Sequence, residues 1–406
     1  MARHTRETDG GEKPLKRLLE LFIVSARLGL TSFGGPVAHL GYFHDVYVKR
    51  RKWLTEEAYA DLVALCQFLP GPASSQVGIA IGIGRAGLLG GIMAWIGFTL
   101  PSVIALMVFA AVLGEFDIQH AGWLQGLMIA AVAVVAQAVW SMGSKLASGR
   151  TRGSIAVIAA AAALLLHSAF AQVVIIAVSG LIGWRLLTSD VSRTVQPFHV
   201  PISRSAGIAF LLAFAALLIG LPLLRAAGHR QALDLFDSFY RAGALVFGGG
   251  HVVLPLLQQA VVPTGWVSDS QFLAGYGAAQ AVPGPLFTFA AYLGYVSDPS
   301  PHGIFGSLLA VAAIFLPAFL LVAGALPFWN AIRAKPGFQS ALAGINASVV
   351  GMLIAALYDP IWTSTIGTPA DVCLALAAFG LLTIWKLPPW LVVVLSAAGG
   401  TAIAYF

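Results

Sequence analysis

Residues 31–43 read TSFGGPVAHLGYF and residues 65–82 read LCQFLPGPASSQVGIAIG. Gly and Pro break helices, yet both stretches lie in chain that is otherwise apolar. The same signals return as FGGGHVVLP at 247–255 and AQAVPGPLFTFAAYLG at 279–294. At an offset of 214, Arg27, Gly29, Phe33, Gly34, Gly35 and Leu40 align with Arg241, Gly243, Phe247, Gly248, Gly249 and Leu254. At 213, Trp53, Gln67, Pro70, Gly71 and Pro72 align with Trp266, Gln280, Pro283, Gly284 and Pro285. At 216, Gly87, Gly90 and Pro101 align with Gly303, Gly306 and Pro317. The drift of a few residues is what loop insertions produce, so the chain reads as an internal duplication.

Composition says where such a chain lives. Of 406 residues, 58% are hydrophobic and 10% charged, against about 25% charged in a soluble domain. Solid Ala/Leu-rich runs recur to the C-terminus, which predicts an all-α polytopic membrane protein and excludes the short alternating strands of a barrel. The net charge of +6 fits Lys and Arg gathered in cytoplasmic loops and does not call for nucleic acid. Two cysteines, Cys66 and Cys373, make no disulfide or zinc pattern, and no cofactor or metal is expected. Residues 1–15 read as a disordered tail. The apolar stretch after Lys16-Arg17 carries Glu20 and Arg27 and lacks a cleavage site, so it does not read as a signal peptide.

The expected organisation is a first repeat at 16–187, a linker with one spanning helix at 188–235 and a second repeat at 236–406. Spans are predicted at 87–114, 122–144, 154–166, 169–187, 203–225, 303–328, 340–358, 371–384 and 388–405. Tight hairpin turns are expected at His167-Ser168 and Leu387-Pro388-Pro389. Segments 16–48, 59–84, 236–262 and 272–296 each carry a break. Arg-rich loops at 145–152, 185–204 and 330–335 alternate with acidic ones, which predicts a cytoplasmic N-terminus and a periplasmic C-terminus. The block Lys49-Arg50-Arg51-Lys52 follows that rule only if 16–48 enters and returns as a re-entrant hairpin; thirteen full crossings violate it. In either topology the one segment at 203–225 flips the second half. The repeats are then inverted, a plan of secondary transporters.

Broken helices expose N–H groups and the positive end of a dipole, which bind anions. The expected substrate-binding set follows the breaks. The first half supplies Arg27, Phe33, Gly34, Gly35, Pro36, His39, Gln67, Pro70, Gly71, Pro72, Ser74 and Ser75. The second supplies Arg241, Phe247, Gly248, Gly249, Gly250, His251, Gln280, Pro283, Gly284, Pro285 and Thr288. Asp61, His39 and His251 are the weaker candidates for proton coupling. Each has a plainer reading: the arginines in salt bridges, the glycines as close helix contacts, the Pro-Gly-Pro turns as kinks, Lys49–Lys52 as a topology signal. Thr55-Glu56-Glu57 and Ser268-Asp269 read as helix starts. GIGRAG at 82–87 has neither a preceding strand nor a following acid and does not bind a dinucleotide. Asn346 falls inside a spanning run, so its glycosylation sequon is idle.

The four quoted stretches resemble the signatures of the chromate ion transporter family, in its long two-domain form. The resemblance implies export of chromate across the bacterial inner membrane, with sulfate as a similar ligand, chromate resistance, and drive from the proton gradient. Membrane lipid is the other expected partner, and a homo-oligomer remains open. No catalytic set is present, so an enzyme is not expected; an anion channel, or a transporter of another small oxyanion, is the alternative.

Overall fold

The computed structural model describes residues 14–32, 35–115, 122–166, 169–187, 201–228, 230–246, 253–298, 300–329 and 336–404. The described residues are helical, with turns and no strand. The first half runs α1 (Pro14–Thr31), α2 (Gly35–Phe43) leading into a π-helical segment (His44–Arg50), then α3 (Glu56–Phe68) and α4 (Ala73–Glu115). It ends with α5 (Gly122–Leu146), α6 (Arg150–Leu165) and α7 (Ala169–Leu186). After α8 (Arg204–Ala227) the second half runs α9 (Gln231–Leu245), α10 (Val253–Val261), α11 (Asp269–Ala281), a 3-10 turn (Leu286–Thr288) and α12 (Phe289–Val296). It closes with α13 (Gly303–Ala325), α14 (Pro336–Ala356), α15 (Pro369–Thr383) and α16 (Pro389–Ala404).

Five helical stretches are long and apolar enough to cross a membrane: Ala73–Leu113, Gly122–Ser144, Arg204–Ala227, Gly303–Phe328 and Gln339–Asp359. The chain is therefore an all-α, multi-pass membrane protein. Each of the nine expected spans falls on a helix; the segments 59–84 and 272–296 are interrupted at their Pro-Gly-Pro turns, while the breaks expected at 33–34 and 247–250 lie outside the described residues. The hairpin turn expected at His167-Ser168 lies outside the described residues, as do residues 1–13 of the expected tail. Helix starts follow local chemistry. Thr55 caps α3 through the Ala58 N–H, and Ser268 caps α11 in a capping box with Gln271, each satisfying orphan donors of the first turn.

Helix α4 is two arms. Ala86 and Gly87 leave helical geometry, and a Cβ on Gly91 would stand 3.3 Å from the Ile79 carbonyl. Twelve residues of straight helix span about 18 Å, so the chain doubles back there. The GIGRAG stretch is thus the end of a helical arm and carries no nucleotide fold. In the second half, Gly294 and Gly306 meet backbone to backbone across the corresponding turn.

The halves repeat their contacts. A Cβ on Gly29 would press on the Phe98 carbonyl, and one on Gly243 on the Ile314 carbonyl, so α1 lies on α4 as α9 lies on α13. The halves also interlock: α5 packs on α15 and α16, and α14 packs on α6 and α7. A Cβ on Gly183 would stand 2.7 Å from the Gly344 Cα, and one on Gly126 2.7 Å from the Ala397 Cα. Between apolar helices in lipid, close van der Waals packing rather than water exclusion drives association, and small residues supply it. One apolar core runs through both halves, from Leu106 and Val135 to Phe239, Phe289 and Leu353.

Candidate functional site

The two Pro-Gly-Pro turns are joined across the halves. The Gly71 N–H donates to the Val246 carbonyl at 2.7 Å, and the Gly284 N–H donates to the Ser32 carbonyl at 2.9 Å. Ser32 and Val246 immediately precede Phe33 and Phe247. Each turn therefore closes on the other half's first break. Buried backbone away from helices must find such partners in a membrane. Gly71 and Gly284 hold φ of 123° and 104°, a region L side chains rarely adopt. A Cβ on Gly71 would also lie 2.9 Å from Gln76 Nε2, and one on Gly284 would overlap Ser102 Oγ. Both neighbours are occupied in holding the turns: Gln76 Nε2 donates to the Pro70 carbonyl at 2.8 Å, and Ser102 Oγ to the Pro283 carbonyl at 2.6 Å.

Helix α4 starts at Ala73, and Ser74, Ser75 and Gln76 in its first turn are buried. The N–H groups of a first turn have no partner inside the helix and share the positive end of its dipole. Buried His39 comes over from α2, with Nδ1 3.3 Å from Ser74 Oγ and the ring edge-on to Phe98 at 5.4 Å. Among the described residues, Ser32 Oγ, His39 Nε2, Ser75 Oγ and Gln76 Oε1 are buried with no hydrogen-bond partner, as is Thr99 Oγ1 on the returning arm. A buried polar group left unsatisfied costs about 1–3 kcal/mol. A cluster of them at a helix N-terminus can bind a small polar ligand rich in oxygen.

The second half is filled differently. Thr288 is buried, and its hydroxyl donates to the Pro285 carbonyl at 2.7 Å. Phe287 and Phe289 beside it are buried, Phe289 edge-on to Phe272 at 5.1 Å. Gln280 hydrogen-bonds Tyr276 and keeps a buried Nε2 without a partner among the described residues. Gln67 is exposed.

The paired cations separate. Arg241 Nη2 lies 2.8 Å from Asp237, which is fully buried and 3.5 Å from Arg225; Arg225 also reaches Asp234 at 3.3 Å. Arg27 is exposed on α1 and has no carboxylate partner among the described residues. Gly35 and Pro36 open α2. Phe33, Gly34, Phe247, Gly248, Gly249, Gly250 and His251 lie outside the described residues. So does the side chain of Asp61, whose backbone belongs to α3.

Sequence reasoning did not single out Ser32, Thr99 and Ser102; Gln76 was read with Ser74 and Ser75 as a donor after the first Pro-Gly-Pro. Ser102 follows Pro101, which has a counterpart in Pro317, and that pairing was the available signal. The Arg225–Asp234–Asp237 cluster was also missed. Its signal is a cation ending an apolar run, followed closely by two acids three residues apart.

The signature of the family described as Chromate transporter matches residues 19–184 and 233–401. The chain belongs to the chromate transporter family. It is 29% identical over 391 residues to the chromate transport protein of Pseudomonas aeruginosa, covering 94% of this chain and 90% of that one. It is 28% identical to the chromate transport protein of Cupriavidus metallidurans, covering 97% and 94%. A probable chromate transport protein of Synechococcus elongatus is 27% identical over 95% of each chain. No solved structure matches the chain. Membership places the chain among transporters rather than enzymes.

Proposed function

We propose that this protein carries chromate from the cytoplasm across the bacterial inner membrane, binding it at the start of α4, and so confers chromate resistance. The carrying observation is the set of buried polar atoms on Ser32, His39 and Ser75 that have no partner among the described residues, with His39 3.3 Å from Ser74 in the first turn of α4. Hydroxyl and imidazole N–H groups with the dipole's positive end suit an oxyanion. Sulfate, of the same shape and charge, is the expected competitor. Gln280 and the Pro-Gly-Pro turns contribute from the other half, and the cross-half bonds at Gly71 and Gly284 are the hinge that alternating access works on.

The proposed topology is two inverted repeats with re-entrant breaks, N-terminus in the cytoplasm and C-terminus in the periplasm. Its support is that Glu20, early in α1, meets both Arg51 at 2.7 Å and Arg85 at 3.1 Å. The chain returns to one level after each of its first two breaks, as hairpins do. Proton drive is the proposed coupling, with His39 as a carrier.

The test is uptake of radiolabelled chromate into inverted membrane vesicles, with and without an imposed proton gradient. Accumulation above equilibrium, lost in Ser75→Ala, is the expected result. Equilibration alone means a channel. No uptake by tight vesicles holding the protein overturns the reading.

A further inference from the structure

Between α1 and the π-helical segment lies a pocket of about 250 Å³, lined by Arg27, Thr31, Arg50 and Arg51 with Val24 and Val46 among the apolar residues. We propose that Arg27, Arg50 and Arg51 bind a doubly charged tetrahedral oxyanion there, as a capture site that feeds the buried one. The inference rests on the oxyanion-transport reading above.

Among the described residues, three arginines and no carboxylate line this pocket. Two acids reach its arginines from outside the lining: Asp45 lies 2.7 Å from Arg50, and Glu20 2.7 Å from Arg51. Glu20 is shared with Arg85, so among these described side chains four guanidinium groups meet two carboxylates, an excess of two positive charges. That matches a dianion. The Asp45–Arg50 pair is largely exposed, and exposed pairs are weak and exchange partners readily. The wide turn of the π-helix puts Asp45 and Arg50 on one face, and such turns recur at functional sites. Guanidinium forks hold tetrahedral oxyanions at two points each. Thr31, which donates from Oγ1 to the Arg27 carbonyl at 2.8 Å, lines the pocket and is next in the chain to Ser32 of the buried site.

The second half lacks this device. Arg241, which corresponds to Arg27, is held by Asp237. At the offset of 213 the places of Arg50 and Arg51 are taken by Pro263 and Thr264. The pocket that includes Pro263 is lined instead by Asp269 and Asp359, with Gln258 donating to Asp269 at 3.2 Å. One mouth is basic and the other acidic. An anion is gathered at the first and repelled from the second.

The same arginines suit a lipid phosphate as well as a free oxyanion, and the experiment separates the two. Initial rates of chromate uptake are measured against concentration in inside-out vesicles reconstituted with phosphatidylcholine alone, then with phosphatidylglycerol added. Arg50→Gln should raise the half-saturating concentration at least fivefold in phosphatidylcholine, with the maximal rate within twofold. Asp45→Asn, which releases Arg50, should lower it, a gain that misfolding cannot produce. An unchanged half-saturating concentration in both variants overturns the proposal. So does an effect that appears only with phosphatidylglycerol, which assigns the pocket to lipid headgroups. If the wild-type protein takes up no chromate, the transport reading fails separately. Equilibrium binding of chromate to purified protein in phosphatidylcholine nanodiscs then decides: at least fivefold weaker binding in Arg50→Gln supports the pocket, and equal binding overturns it.

Discussion

The two Pro-Gly-Pro breaks share a backbone and differ in what they hold. After the first come Ser74, Ser75 and Gln76; at the matching places after the second stand Phe287, Thr288 and Phe289. Among the described residues, the first break keeps several buried polar atoms without partners, and beside the second Gln280 Nε2 alone does so among the expected site residues. In the second, the one hydroxyl among the matching residues closes on its own turn, between buried rings. The cations repeat the contrast, with Arg27 unpaired among the described residues and Arg241 held by Asp237. A duplicated fold has kept its geometry in both halves while polar chemistry concentrated in one. On the proposed function, the first half supplies most of the binding groups and the second mainly braces them.

The sharpest way to break that comparison is to attack what the halves share. Gly71→Ala and Gly284→Ala should each cost about 4 kcal/mol from strain and overlap together, with loss of folded protein in the membrane read by detergent-solubilised thermal stability. Ser102→Ala should recover part of the loss in Gly284→Ala by removing the overlapping hydroxyl, and none in Gly71→Ala. Equal effects of Ser102→Ala on both would mean that the turns are not braced as the geometry indicates.

The cations give the next largest effect. Asp237→Asn leaves Arg241 without its buried carboxylate and Arg225 with Asp234 alone. It should destabilise the fold by about 3 kcal/mol, the low end for a buried pair because both arginines keep partial access to solvent. Arg27→Gln should leave stability within about 0.5 kcal/mol, as at ordinary exposed positions, while weakening chromate transport. Thermal melts beside uptake assays check both. A large stability loss in Arg27→Gln would erase the difference between the halves. Among the hydroxyls, Ser75→Ala should lower transport at subsaturating chromate at least tenfold, since a hydrogen bond to a charged group is worth about 1.5–3 kcal/mol. Thr288→Ala removes only a local bond, worth about 1 kcal/mol of stability, and should keep transport.

Much of this architecture is legible in sequence because breaking a helix in lipid demands Gly and Pro, and duplication prints the demand twice. The pairs Gly29–Gly243 and Pro70-Gly71-Pro72 with Pro283-Gly284-Pro285 mark positions that the structure uses in the same way. What joins the breaks was not legible, since the bonds from Gly71 and Gly284 run between backbone groups and leave no side-chain signature. The arginines at 50 and 51 read as a topology signal, because a charge block shows neither the π-helical turn that folds Asp45 onto Arg50 nor the pocket shared with Arg27. His39 and Ser74 were named from their breaks alone; their contact, thirty-five residues apart, required the fold.

The smallest predicted effect concerns an anchor that, among the described residues, the first half alone has. The Arg85 guanidinium lies 4.2 Å from the centre of the Trp53 ring and also reaches Glu20 at 3.1 Å. Trp266 matches Trp53, but Pro301 stands at the place of Arg85, so the second half has no equivalent stack. Arg85→Lys keeps the charge and gives up the flat contact with the ring, a loss of about 0.5–1 kcal/mol. The melting temperature should fall by a degree or two, and the half-saturating chromate concentration should hold, since Arg85 does not line the arginine pocket. A rise in that concentration as large as in Arg50→Gln would mean that Arg85 joins the capture site. The basic mouth would then extend to the turn of α4, and the asymmetry between the halves would be wider than the pocket alone defines.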